Sequence, residues 1–450
     1  MTNTTPGLRR VGVRETRVAT GIAFFAWTIA VYDFILFGTL LPRIEEDFGW
    51  STSHALLIST FVSIGTAFVV LAVGPIVDKL GRRKGMIISV GGTAASSAAT
   101  AATVGATSLI GVRSISGLGL AEQSVNATYL NELYAVTEDE KIKRNRGFVY
   151  SMVQTGWPIG ALLAAGFVAI VTSIWGADAW RLAFLLATVP AIIVALVCRK
   201  LNESPQFLAQ QEVKRLRKEG LDAEASEYAA ATGTATEAVA APLRRIFDVK
   251  HRRNTIVLSL AWIFNWFAIQ TFSVLGTTVL EKGKGIDASS VLLLVVVSNL
   301  VGALGYLAHG WAGDRFGRRN TIAFGWIVSG GFFAAMLLGP SDQVFVVLTY
   351  MMGLFFLLGP YAAIMFFQAE CFDTDCRATG SAFIGAMSQP GAIIGGFILT
   401  GLTAAAVPYS TAALYVGAIG VVLSGLVVLA AKSIAPAPSE LTVEPAEVLA

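Results

Sequence analysis

Residues 74–83 read GPIVDKLGRR, and residues 310–319 read GWAGDRFGRR. Each runs from a glycine to an aspartate four places on, then to a basic residue and a closing Gly-Arg-Arg. The chain that writes this charged decapeptide twice, 236 residues apart, is otherwise oily. Of its 450 residues 54% are apolar and 14% charged. A water-soluble globular chain carries about 25% charge, so these charges are too few to cover a water-facing surface. Runs at 55–77, 86–104, 289–312 and 408–431 are each longer than the ~18 residues of a spanning helix. The ~10-residue alternating segments of a membrane barrel do not occur. The fold class is an all-α membrane protein.

Hydropathy and turn signals place twelve spans, near 18–41, 55–77, 86–104, 107–133, 147–173, 180–199, 254–280, 289–312, 320–339, 343–368, 378–404 and 408–431. The net charge is a modest +3, but its distribution is lopsided. Of 33 Lys and Arg, Arg43, Arg181, Lys282 and Lys284 fall in one set of alternate loops, 28 in the other set with both tails, and Arg113 inside a span. Basic residues favour the cytoplasmic side, so both termini are predicted to be cytoplasmic, in a plasma (inner) membrane. The opening MTNTTPGLRRVGVRETR lacks an adjacent apolar core with a cleavage site and reads as a cytosolic tail. Cys198, Cys371 and Cys376 lie at or near cytoplasmic span ends without zinc-ligand spacing, so neither a metal nor a disulfide is expected.

Residues 200–253 turn charged and Ala-rich, then basic. The predicted layout is a tail (1–17), a six-helix bundle (18–199), a cytosolic connector of short helices with a flexible Thr/Gly/Ala stretch at 232–241 (200–253), a second six-helix bundle (254–431) and a tail (432–450). Each charged decapeptide then falls between the second and third helix of its half. The repeat extends further: Glu132 ends span four and Glu370 ends span ten, followed by Arg146-Gly147 and Arg377-Ala-Thr-Gly380. A unit repeated once per half means a duplicated architecture. Gly74 and Gly310 let a neighbouring helix approach closely. Asp78 and Asp314 can meet the positive N-terminus of an adjacent helix. Gly81 and Gly317 permit the reversal, and Arg82, Arg83, Arg318 and Arg319 hold it in the anionic interface.

These residues resemble the signature loop of the major facilitator superfamily, and the likeness spans nearly the whole chain. It implies two six-helix bundles around a central cavity, rocking to open it to either side, with the two loops latching bundle against bundle. RSISGLGLAEQSVNATYLNE (113–132) resembles span four of the metabolite:proton and sialate:proton symporters. ESPQFL (203–208) and YDFILFG (32–38) resemble elements of symporters and sugar porters. Ala30-Val31 replaces the usual Glu-Trp, and Leu120-Ala121 a paired glycine.

Ionisable groups within spans are costly, ~2.5–3.5 kcal/mol each at mid-bilayer, so Asp33, Arg113 and Glu122 are candidates for proton coupling. Asp33 sits well along span one between Tyr32 and Phe34, placed to take a proton from one side and release it to the other. It could instead simply hydrogen-bond a neighbouring helix. Glu122 shares a helical face with Asn126 and Tyr129. Arg113, nine residues away, lies about 180° round and ~13 Å along, so each needs a partner elsewhere. Arg113 could bind a cargo carboxylate or snorkel to the interface. In span seven Trp262, Trp266, Gln270, Ser273 and Thr277 share one face that suits a cavity wall. Asn126, Gln154, Trp157, Tyr361 and Gln389 are further cargo candidates. His309 reads as a gate or helix-end residue.

The leading expectation is a proton-coupled symporter taking up a small polar metabolite, most plausibly an organic carboxylate. It would need no cofactor beyond the proton gradient and no nucleic-acid partner, and would work as a monomer in the lipid bilayer. Proton-antiport efflux is the alternative, although the relevant depth of span five, ALLAAGFVAIV (161–171), lacks the Gly-Pro usual in antiporters. An uncoupled sugar or polyol facilitator would leave two intramembrane acids idle. Neither a nucleophile–base constellation nor a P-loop is present, which argues against an enzyme.

Overall fold

The computed structural model describes residues 8–176, 178–233, 242–372 and 376–432. Both far tails and residues 234–241, most of the stretch expected to be flexible, lie outside them. The described residues are almost wholly helical and thread twelve spans. The first, Val13–Phe48, is 36 residues, about 54 Å at 1.5 Å per residue, and so projects beyond the ~30 Å hydrocarbon layer. After it come Thr52–Leu80, Arg82–Thr100, a fourth span in two pieces (Ala106–Ile115 and Gly117–Ala135), a fifth in two pieces (Arg146–Gln154 and Gly156–Trp175) and Trp180–Cys198. The connector folds as Pro205–Lys218, Asp222–Thr232 and Pro242–Arg245. The second half begins with Arg252–Ala268, extended by π-turns at Ile269–Val274 and Val279–Gly283. Ala288–Phe316 and Arg318–Leu338 follow, then a two-piece tenth span (Gln343–Leu358, Tyr361–Glu370) and a two-piece eleventh (Arg377–Ala386, Ser388–Ala404). The twelfth runs from Tyr409 to Leu429 with a π-turn inside.

The breaks repeat with the sequence. Spans four and ten are interrupted at Ser116 and at Gly359-Pro360, spans five and eleven at Thr155 and Met387. Pro158 and Pro390 each lie three residues past the fifth- and eleventh-span breaks, where the ring lacks an N–H and crowds the preceding turn. Gly81 and Gly317, at the two signature turns, have φ of 101° and 88°, a region open to glycine and strained for other residues. Among the described residues ten segments are long and apolar enough to cross a membrane. The third and fourth spans are too polar to join them. The third hides its hydroxyls inside the bundle: Thr93 and Thr100 donate to the carbonyls of Ser89 and Ser96, and Ser96 to that of Val112.

Within the first half, the first span packs on the fifth so tightly that a Cβ at Gly160 would stand 2.7 Å from the Thr28 carbonyl oxygen. The halves meet along the fifth and eighth, second and eleventh, and first and seventh spans. The end of the molecule carrying the connector and both termini is called the terminal end here, and the other the distal end. The described polar bonds between halves lie at mid-depth or distally. There Arg43 of the first span meets Glu281 at 2.7 Å, Lys282 meets Glu45 at 3.3 Å, and Thr277 donates to the carbonyls of Gly38 and Thr39 at 3.2 Å each. Leu40, Leu41, Ile44, Val279 and Leu280 are buried around them. The distal end is closed.

Candidate transport site

Asp33 and Arg113, eighty residues apart in sequence, meet inside the first bundle. Arg113 Nη2 lies 3.1 Å from Asp33 Oδ2 and Nη1 3.3 Å from Oδ1, while Nη2 also donates to the Asp33 carbonyl at 3.0 Å. Ser97 of the third span donates to the same carboxylate. The side chains are 1% and 3% exposed, so Arg113 does not snorkel, and the carboxylate it holds is an internal one. The rings of Phe37 and Phe184 flank the guanidinium at 5.4 and 5.2 Å, cation–π contacts that partly replace lost hydration. An ion pair removed this far from water is stable only while both partners are present.

Glu122 sits apart from this pair, fully enclosed, with Asn126 Nδ2 at 3.4 Å. Asn126 also donates to the Ala23 carbonyl at 3.1 Å and is itself fully buried in the first bundle. The helix face it shares with Glu122 turns onto the first span. Gln154 is buried within the first bundle, accepting from Gln123 at 2.8 Å and donating to the Tyr150 hydroxyl at 2.6 Å.

The centre of the molecule is aromatic from both sides. Trp157 bridges the halves, its indole N–H donating to Ser273 Oγ at 3.3 Å. Its ring lies about 6 Å from each of Trp27, Phe34 and Trp266. Below it Trp262 stands edge-on to Tyr361, 5.4 Å between rings, and donates to Gln368; Tyr361 donates to Asn265 Oδ1 at 2.5 Å. Two buried polar atoms on this wall, Gln270 Oε1 and Asn265 Nδ2, have no hydrogen-bond partner among the described residues. Gln389 is half-buried beside the eleventh-span break.

The signature turns keep their repeat in three dimensions. Arg82 pairs with Glu132 at 3.1 Å, and its counterpart Arg318 with Glu370 at 2.5 Å and Asp314 at 3.3 Å. These described bonds stay within their own halves. Glu203 of the connector caps the third span, accepting from the backbone N–H of Arg82 at 2.9 Å and Arg83 at 3.2 Å, and Arg83 donates to the Arg199 carbonyl. Ser204 donates to Glu132. Arg319 donates to the Ala431 carbonyl, and Arg146 is exposed. Gly310 is half-buried, its helix face 3.6 Å from Ala362 on the added-Cβ measure. Gly74, Asp78 and the Arg377 side chain lie outside the described residues. His309 is buried with Nδ1 2.9 Å from the Gly305 carbonyl, against Phe355 and Phe356. None of the three cysteines is in a disulfide.

Sequence reasoning missed Ser97, Asn265, Gln368, Tyr150 and the distal ion pairs. Only the last left a signal, since Arg43 and Lys282 were two of the few cations on their side.

Two helical bundles, internally duplicated and enclosing paired charges and an aromatic centre, define a secondary carrier embedded in the membrane. The family model described as sugar (and other) transporter matches residues 18–436, and the chain belongs to that family. It is a multi-pass membrane transporter, not an enzyme. It is 25% identical over 394 residues to a gallate transporter of Pseudomonas putida, covering 84% of this chain and 85% of that one. It is 24% identical to a putative niacin/nicotinamide transporter of Bacillus subtilis, covering 88% and 90%. A 4-hydroxybenzoate transporter of Acinetobacter baylyi is also 24% identical, covering 83% and 84%. Among solved structures a D-xylose–proton symporter superposes with a TM-score of 0.66 at 17% identity, covering 92% of this chain and 97% of that one. The fold is thereby that of the major facilitators.

Proposed function

We propose that the protein takes up a small aromatic carboxylate together with protons, across a plasma membrane, with both termini in the cytoplasm. The observation that carries this is the sealed Asp33–Arg113 pair: an acid whose cationic partner among the described residues is locked in the same bundle has a charge state that bundle must respond to. Protonation of Asp33 would release Arg113 and alter how the first, third and fourth spans pack. Cargo binding and protonation then have to favour the same state, since a ligand shifts an equilibrium only by its differential affinity. The ring-lined centre around Trp157 and Trp266 supports an aromatic solute, as do relatives described as carriers of gallate, niacin and 4-hydroxybenzoate. Gln270, Asn265 and Trp266 are the expected polar contacts. The 28 basic residues at the terminal end support its cytoplasmic placement. The carrier needs no bound cofactor and works as a monomer.

The test is uptake by reconstituted vesicles, alkaline inside, offered gallate, nicotinate and 4-hydroxybenzoate. Uphill accumulation of at least one is expected. Accumulation that never exceeds the outside concentration points to an uncoupled facilitator, and outward pumping to efflux.

A further inference from the structure

The first bundle holds a second acid that the Asp33–Arg113 pair does not involve. Glu122 is fully enclosed, its Oε1 has no hydrogen-bond partner, and no cation among the described residues acts on it. Next to it on the helix, Asn126 Oδ1 is a second buried acceptor with no partner. An unpaired buried carboxylate is among the costliest groups to leave in a protein interior, and one hydrogen on the Glu122 carboxyl removes its charge.

Among the described residues a polar route leads away from that acid. The titratable groups facing Glu122 are Tyr150 of the fifth span and Cys198 of the sixth. The first span offers the Ala23 carbonyl, already held by Asn126. The third span packs here through Gly85 against Val125 and Thr93 against Gly119. Cys198 is fully buried. Tyr150 is half-buried and hydrogen-bonds through Gln154 to Gln123, which is also half-buried.

We propose that Glu122 is a second proton-binding site, loaded and emptied once per cycle by way of Tyr150. It lies about 13 Å (nine residues) nearer the terminal end than Arg113. This rests on the symport reading and adds that two protons accompany each solute, so that a monocarboxylate crosses with net positive charge.

The exponent linking accumulation to the proton gradient tests it. In vesicles clamped at zero membrane potential and offered 4-hydroxybenzoate, wild-type accumulation should rise as the square of the proton ratio. Glu122→Gln should lower this to the first power, and Glu122→Asp should keep the square. A first-power wild type overturns the proposal without any variant, as does a Glu122→Gln carrier that keeps the square. Asp33→Asn separates the two readings: it should also lower the exponent to the first power, and if it keeps the square the assignment of Asp33 fails and Glu122 stands. A readout that needs no solute is the infrared carbonyl stretch of a protonated carboxyl in purified protein. It should be stronger in Asp33→Asn than in Asp33→Asn/Glu122→Gln, and equal bands in the two also overturn the proposal.

Discussion

Asp33 and Arg113 illustrate how a buried charge becomes affordable only in company. Removing either leaves the other stranded, and such losses run to about 3–5 kcal/mol. Arg113→Ala is therefore expected to lower the thermal stability of the purified carrier markedly. Arg113→Ala/Asp33→Ala should recover most of that loss, and a double variant whose losses simply add would show that the two charges are not energetically coupled. The candidates were legible one by one, because a charge inside an apolar run stands out. Their pairing was not, since it depends on how spans one and four are rotated against each other. For the same reason Asn126 could be placed on Glu122's helical face but not be known to turn away from the cleft. Ser97 was invisible, one hydroxyl among several in SSAAT.

At the scale of elements, the closed distal end depends on backbone proximity and on charge. A Cβ at Gly38 would come 2.0 Å from the Val274 carbonyl oxygen, too close for any side chain to relieve. Gly38→Val should thus disfavour distal closure, seen as a lengthened distance between spin labels on the first and seventh spans, and an unchanged distance would contradict the packing. Glu281 adds a pH dependence. Burial pushes its carboxyl above the usual range, outweighing the opposing pull of Arg43 and Lys282, with Glu46 adding to the rise. In an open state it would face water and titrate normally, so the closed state binds its proton more tightly. Closure is then favoured below the ordinary carboxylate pKa, and the advantage fades as pH rises through the closed-state value. Acidifying the distal side should shorten the same label distance, and Glu281→Gln should flatten the response; distal opening on acidification would contradict this sign.

For the whole molecule, the duplicated charged turn was enough to predict two bundles, because two water-seeking decapeptides in a lipid-soluble chain can only be surface turns, and their offset gives the repeat. The helix breaks at Ser116, Thr155, Gly359-Pro360 and Met387 were partly foreseeable from Pro158, Pro360 and Pro390. Which end would be closed was not, since both states use the same sequence. The bundles matter to function only if their rocking is tied to the charge on Asp33. The most direct measurement follows hydrogen-ion and solute movement together in vesicles, with a pH dye inside and labelled 4-hydroxybenzoate outside. The account predicts that wild-type solute entry acidifies the lumen, while Asp33→Asn brings in about half as many protons with each solute. A proton count per solute that is unchanged in Asp33→Asn, or acidification that never accompanies entry in the wild type, would contradict it.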